Sequence, residues 1–189
     1  MKILCYGDSN TYGYDGTDPF GGRLPESARW PELLCRSLGC DCLNCGLNGR
    51  RVPRFPRSVE ADLRLLSRAR EGDLILVMLG TNDLLCGAEP ADTAGHMRDF
   101  LGRLKDAKPG CALLLAAPPP AAVEGEDFSP AFTALAEAYG ALSRELGIFF
   151  ADTTAWDIPA VGDGVHFSGR GHRLFALKMG QTVRALVNG

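Results

Sequence analysis

Apolar positions along the chain fall in short unbroken blocks, separated by stretches where they recur every three or four residues. The blocks are Lys2–Tyr6, Cys40–Cys45, Leu74–Leu79, Ala112–Ala117 and Ile148–Ala151. Continuity, in place of alternation, predicts strands covered on both faces. The stretches between them read as amphipathic helices: Ala28–Leu38, Val59–Ala69, Ala91–Asp106 and Pro130–Leu146. A last helix is predicted after Ser168, a fitting N-cap, with Leu174, Phe175, Met179 and Val183 on its apolar side. Strand–helix–strand repetition without hairpin signals predicts a parallel sheet between helical layers. The expected class is α/β: a three-layer α/β/α arrangement around a five-stranded parallel flavodoxin-like sheet. No repeat or linker interrupts it, so 1–189 reads as one domain. In such sheets functional groups sit beyond the carboxyl ends of the strands.

Composition narrows the function classes. Hydrophobic residues are 46% and charged residues 23%, values of a globular chain and not a disordered one. The net charge of −3 offers no basic surface for nucleic acid or an anionic membrane. No run approaches the ~18 apolar residues of a membrane span. Seven cysteines, an odd number, argue against a fully paired secreted framework. The opening MKILCYGDSN runs straight into a strand, too short for a signal segment. The expected location is therefore a reducing cytoplasm, with free thiols. Cys35, Cys40, Cys42 and Cys45 include one pair at zinc-knuckle spacing, but nothing completes a second. Buried small hydrophobes are the simpler account, and neither metal nor cofactor is expected.

Four turns carry candidate chemistry. The first strand ends in Gly7-Asp8-Ser9-Asn10, where a serine projects from the sheet edge as a nucleophile or a mere turn former. The second runs into a loop whose Gly46 and Gly49 suit a turn and can expose a backbone N–H. The third ends in Gly80-Thr81-Asn82-Asp83; Asn82 can cap the turn or donate its amide to a developing oxyanion. Near the C-terminus, Asp163 and His166 stand three apart, within reach across a tight turn. Such a carboxylate would orient an imidazole base, as in a catalytic triad. His96 and His172 lie in helical patterns and read as structural. All four turns fall at one edge of one predicted sheet, which makes the set more telling than any fragment.

The four motifs, in this order, resemble the SGNH (GDSL-type) hydrolase family from residue 3 to about 170. ILCYGDSNTYGY and Arg29–Leu34 are most similar to its arylesterase and acyltransferase branch. The resemblance implies Ser9 as nucleophile, His166 as base and Asp163 as its orienting partner. It implies an oxyanion hole from the N–H groups of Ser9 and Gly49 and the Asn82 amide. It also implies a serine esterase for small acyl, acetyl-type esters, working through an acyl-enzyme. Acyl transfer to an alcohol and carbohydrate deacetylation are alternatives, and the acyltransferase branch leaves a homo-oligomer open. The chain departs from the pattern at Arg50 and Arg51, where relatives often carry a small hydroxyl residue such as Thr.

Tyr12, Tyr14 and Phe20, in the loop Thr11–Ser27, could line a substrate pocket with Leu84, Leu85, Trp156 and Phe167, or simply pack. A flavin-binding module is the reading from another class; it lacks a helix starting directly after Ser9–Thr11. A catalytically dead carbohydrate-binding relative is a further reading. No G-x-S-x-G, Walker A or G-x-G-x-x-G motif is present.

Overall fold

The computed structural model describes residues 1–123 and 125–188. Five parallel strands form the sheet: β1 (Lys2–Gly7), β2 (Asp41–Gly46), β3 (Leu74–Met78), β4 (Ala112–Ala117) and β7 (Phe149–Asp152), in the order β2-β1-β3-β4-β7. This is the flavodoxin-like order, with β1 and β3 central. Every pairing is parallel, for example Ile3 with Leu74 and Leu4 with Ile75.

The unbroken apolar blocks exist because both faces are covered. Leu4, Tyr6, Ile75, Val77, Leu113 and Leu115 point into one core, which they share with Phe100, Phe132 and Tyr139 of the helices α5 (Pro90–Ala107) and α6 (Ser129–Leu146). Ile3, Cys5, Leu74, Leu76, Leu114 and Ala116 enter the other, against Trp30 and Leu34 of α2 (Trp30–Leu38) and Phe175 and Met179 of α7 (Gly169–Asn188). Trp30 and Phe175, both fully buried, pack with ring centroids 4.9 Å apart. The cysteines follow the pleat: Cys40 and Cys42 lie against the α2–α7 core, and Cys45 is in the opposite one. Among the described residues no cluster of His, Cys, Asp or Glu is arranged for a metal ion. No helix there is long and apolar enough to cross a membrane.

The helix α3 (Pro56–Leu66) begins three residues before the predicted Val59, because Pro56 fits its first turn and Ser58 Oγ accepts the Phe55 N–H at 3.2 Å. Ser168 caps α7 as expected, its Oγ accepting the Gly171 N–H at 3.1 Å. Four elements lie outside the sequence expectation. They are the single turn α1 (Ser9–Tyr12), the short α4 (Thr81–Leu85), and a small antiparallel pair, β5 (Ala122–Val123) with β6 (Glu126–Asp127). The helical turn at Ser9 ends at Tyr12 and the next helix, α2, begins only at Trp30, so no longer helix starts directly after Ser9–Thr11, as expected.

Candidate active site

β1, β2 and β3 end side by side, and their following loops are stitched together. Leu47 N–H donates to the Gly7 carbonyl at 3.1 Å, and Arg50 Nη1 to the same oxygen at 3.0 Å. Asn82 Nδ2 donates to the Arg50 carbonyl at 3.0 Å. The buried Asp83 carboxylate accepts the Val52 N–H at 3.1 Å. Ser9, Gly49 and Asn82 are thereby held on one cross-linked platform.

Ser9 opens α1 and is 7% exposed. Asp8, buried, caps that turn by accepting the Asn10 N–H at 3.0 Å. Burial pushes the Asp8 carboxyl up to about 6, against the pull of the Asn10 hydrogen bond and the His166 ring. The Ser9 Oγ lies 3.0 Å from His166 Nε2, and His166 Nδ1 lies 2.6 Å from Asp163 Oδ2. The other oxygen, Asp163 Oδ1, accepts the Val165 and His166 N–H groups at 2.9 and 3.0 Å. Burial acts to raise the Asp163 pKa, but the His166 ring and these two amides outweigh it and hold the carboxyl below its usual range. The carboxylate thus stays ionised and fixes the ring with Nε2 toward the hydroxyl.

Two glycines are needed for their conformation. Gly164 has φ 71°, and a Cβ there would lie 1.7 Å from the Ala122 carbonyl oxygen. Gly49 has φ 69°, with nothing within 4 Å of where a Cβ would stand, so its backbone borders open space. Asn82, half-buried, spends one amide hydrogen on Arg50 and keeps a second to donate.

Residue reading missed Asn10. Its Oδ1 accepts the Phe167 N–H at 2.8 Å and its Nδ2 donates to the Val165 carbonyl at 3.0 Å. It therefore grips the chain on both sides of His166 and ties that segment to the turn that carries Ser9. Its place in the Gly-Asp-Ser-Asn turn was the one available signal. Arg50 and Asp83 are further structural ties that no local sequence pattern marks.

The pocket expectation needs correction. Leu84, 3% exposed, packs into the α5–α6 core, with Leu85 against it. Phe167, 4% exposed, packs on Phe175 and His172 in the other core. Trp156 lies half-buried on Phe175 at 5.3 Å. These side chains fill cores because the residues after β3 and before α7 turn inward to cover the sheet ends. Tyr12 sits beneath the Arg23 guanidinium, 4.2 Å from its ring centroid, and Phe20 is almost fully exposed. Tyr14 is different: its ring centroid lies 4.5 Å from that of His166. His172 is fully buried, its Nδ1 accepting the Trp30 N–H at 3.3 Å; burial drives its pKa down to about 4.

Residues 5–174 match the model of the GDSL-like lipase/acylhydrolase family. Solved structures similar to this chain share the fold over nearly its whole length. A protein of Agrobacterium tumefaciens provisionally described as an arylesterase is 28% identical, with a TM-score of 0.83, covering 97% of this chain and 98% of its own. The M. smegmatis aryl esterase is 27% identical, with a TM-score of 0.81 and coverage of 98% and 99%. A carbohydrate acetylesterase from Sinorhizobium meliloti is 26% identical, with a TM-score of 0.82 and the same coverage. No curated protein sequence matches the chain.

Proposed function

The chain belongs to the GDSL-like lipase/acylhydrolase family and is a carboxylic ester hydrolase; from that premise we propose that it cleaves small acyl esters with Ser9 as nucleophile, His166 as base and Asp163 as its orienting carboxylate. The observation that carries this reading is the unbroken line Ser9 Oγ–His166 Nε2–His166 Nδ1–Asp163 Oδ2, with steps of 3.0 and 2.6 Å on either side of the ring. Both distances are within the reach that proton transfer requires.

In this mechanism Nε2 takes the hydroxyl proton as Oγ attacks the ester carbonyl carbon. Asp163 stays ionised and stabilises the imidazolium. The carbonyl oxygen becomes an oxyanion that accepts hydrogen bonds from the Ser9 and Gly49 N–H groups and the spare Asn82 amide hydrogen. Collapse expels the alcohol, which leaves with the proton from Nε2. Water, deprotonated by His166, then attacks the acyl-enzyme, releasing the acid and restoring the serine. No cofactor enters any step. An acetyl-sized acyl group is supported by the likeness to a carbohydrate acetylesterase.

The test is hydrolysis of 4-nitrophenyl acetate by the wild type and by Ser9→Ala. The wild type should turn over, and the variant should fall to background with its thermal melt unchanged. Equal rates in the two would remove Ser9 from the mechanism.

A further inference from the structure

Four arginines stand within eight residues directly after Gly49: Arg50, Arg51, Arg54 and Arg57. They do different work. Arg50 is nearly buried; its guanidinium lies 4.3 Å from the Tyr6 ring centroid, donates to the Gly7 carbonyl and pairs with Asp62 at 3.6 Å. It is a structural tie, and it occupies the Asp62 carboxylate. Arg51, Arg54 and Arg57 are exposed, and among the described residues none has a carboxylate within 4.0 Å. Arg54 is braced over the Phe55 ring, at 5.1 Å from the centroid.

Arg50, Arg51 and Arg54, but not Arg57, border a cleft of about 410 Å³ whose lining also includes Gly49, Phe55 and Ser58. Gly49 belongs both to this cleft and to the oxyanion hole of the mechanism above. The cleft and the proposed oxyanion hole thus meet at Gly49. The Arg51 and Arg54 charges also reach the sheet edge: burial raises the Asp83 pKa, and both guanidiniums, after the Val52 hydrogen bond, pull it back. Asp83 follows Asn82, the other outside oxyanion donor. A protein with a net charge of −3 thus gathers guanidinium groups without a close ion-pair partner along one lip of a cleft that includes Gly49. Guanidinium groups suit planar carboxylates and phosphates, which they bind through paired N–H donors.

We propose that this arginine-lined cleft receives an anionic group carried by the ester, so that the preferred substrates are esters bearing a carboxylate or similar anion close to the scissile bond. The inference rests on the esterase reading of Ser9. Arg51 and Arg54 hold the anion, and Ser58 and the Phe55 face bound the space beside it. The anion itself undergoes no chemistry. It orients the ester and raises the encounter rate, which makes the effect sensitive to salt.

Two matched pairs of substrates test it, one for each side of the ester bond. 4-Nitrophenyl hydrogen succinate against 4-nitrophenyl butyrate places the anion in the acyl group. 4-Acetoxybenzoate against its methyl ester places it in the alcohol. The readout is the anionic-to-neutral ratio of kcat/KM, with the Ser9→Ala rate subtracted. The wild type should favour the anionic member of at least one pair by about tenfold at low salt, the size expected from two partly exposed charge contacts. In the Arg51→Gln/Arg54→Gln variant, and at about 0.5 M NaCl, the ratio should fall toward one. No anionic preference in either pair, or one that persists in the variant, overturns the inference and leaves the esterase intact. Wild-type rates on both neutral esters equal to those of Ser9→Ala would instead sink the esterase reading, and this inference with it.

Discussion

Asn10 links the helical turn that carries Ser9 to both neighbours of His166, and the Ser9–His166 contact of 3.0 Å lies between these ties. Asn10→Ala removes one buried and one partly buried hydrogen bond and should free the imidazole to drift from the hydroxyl. A displacement of ~1 Å at a reacting group costs up to about 10² in rate. We expect kcat for 4-nitrophenyl acetate to drop by that order, with KM little changed; an unaltered kcat would show that the loop holds His166 without this clamp. In the proposed mechanism Asn82→Ala deletes a donor that strengthens only as the oxyanion forms. It should lower kcat by about 10²–10³, again with little effect on KM. A rise in KM alone would mean that Asn82 binds substrate and does not stabilise charge.

Among the elements, the turn bearing Asp163 and His166 leans on the small strand β5. The Ala122 N–H donates to the Gly164 carbonyl at 3.1 Å, and Gly164 has no room for a side chain against the Ala122 carbonyl. Gly164→Ala meets both a left-handed φ and a backbone clash, a combination costing about 1–3 kcal/mol. Its urea midpoint should fall and its kcat should fall with it; a stable, fully active variant would mean the turn re-forms away from β5. This buttress could not be read from the amino acids. β5, β6, α1 and α4 are each two to five residues long, too short to display a period, and they hold their shape through contacts with distant chain. The five sheet strands and five long helices were legible because burial on both sheet faces, or on one helix face, leaves a repeating apolar signature. Leu84, Trp156 and Phe167 carried the same apolar character, and nothing local showed whether it faced a ligand or a core. The site motifs were legible for another reason: the parallel sheet brings strand ends together, so a turn's position in the chain implied its place in space.

Across the molecule, two buried titratable groups oppose each other. The Asp8 carboxyl rises from 3.8 unfolded to about 6 folded, so its stabilising contribution is complete below about 4 and lost as pH climbs through about 6. His172 falls from 6.5 to about 4, so its contribution is present above 6.5 and lost as pH drops toward 4. Each shift corresponds to about 3 kcal/mol. Between pH 4 and 6.5 the two effects nearly cancel. Asp8→Asn keeps an N-cap acceptor and removes one of them. Its stability by urea unfolding should therefore exceed that of the wild type at pH 8 and decline by about 3 kcal/mol relative to it on moving to pH 4. Parallel curves for the two proteins would rule out the Asp8 titration.

The central claim is that one serine, activated by one imidazole, forms the acyl-enzyme. Intact-mass spectrometry after treatment with a fluorophosphonate tests it most directly. The account predicts a single adduct, mapped to Ser9, missing in Ser9→Ala and formed far more slowly in His166→Ala. An adduct of equal yield in Ser9→Ala, or one mapped to another residue, would contradict it.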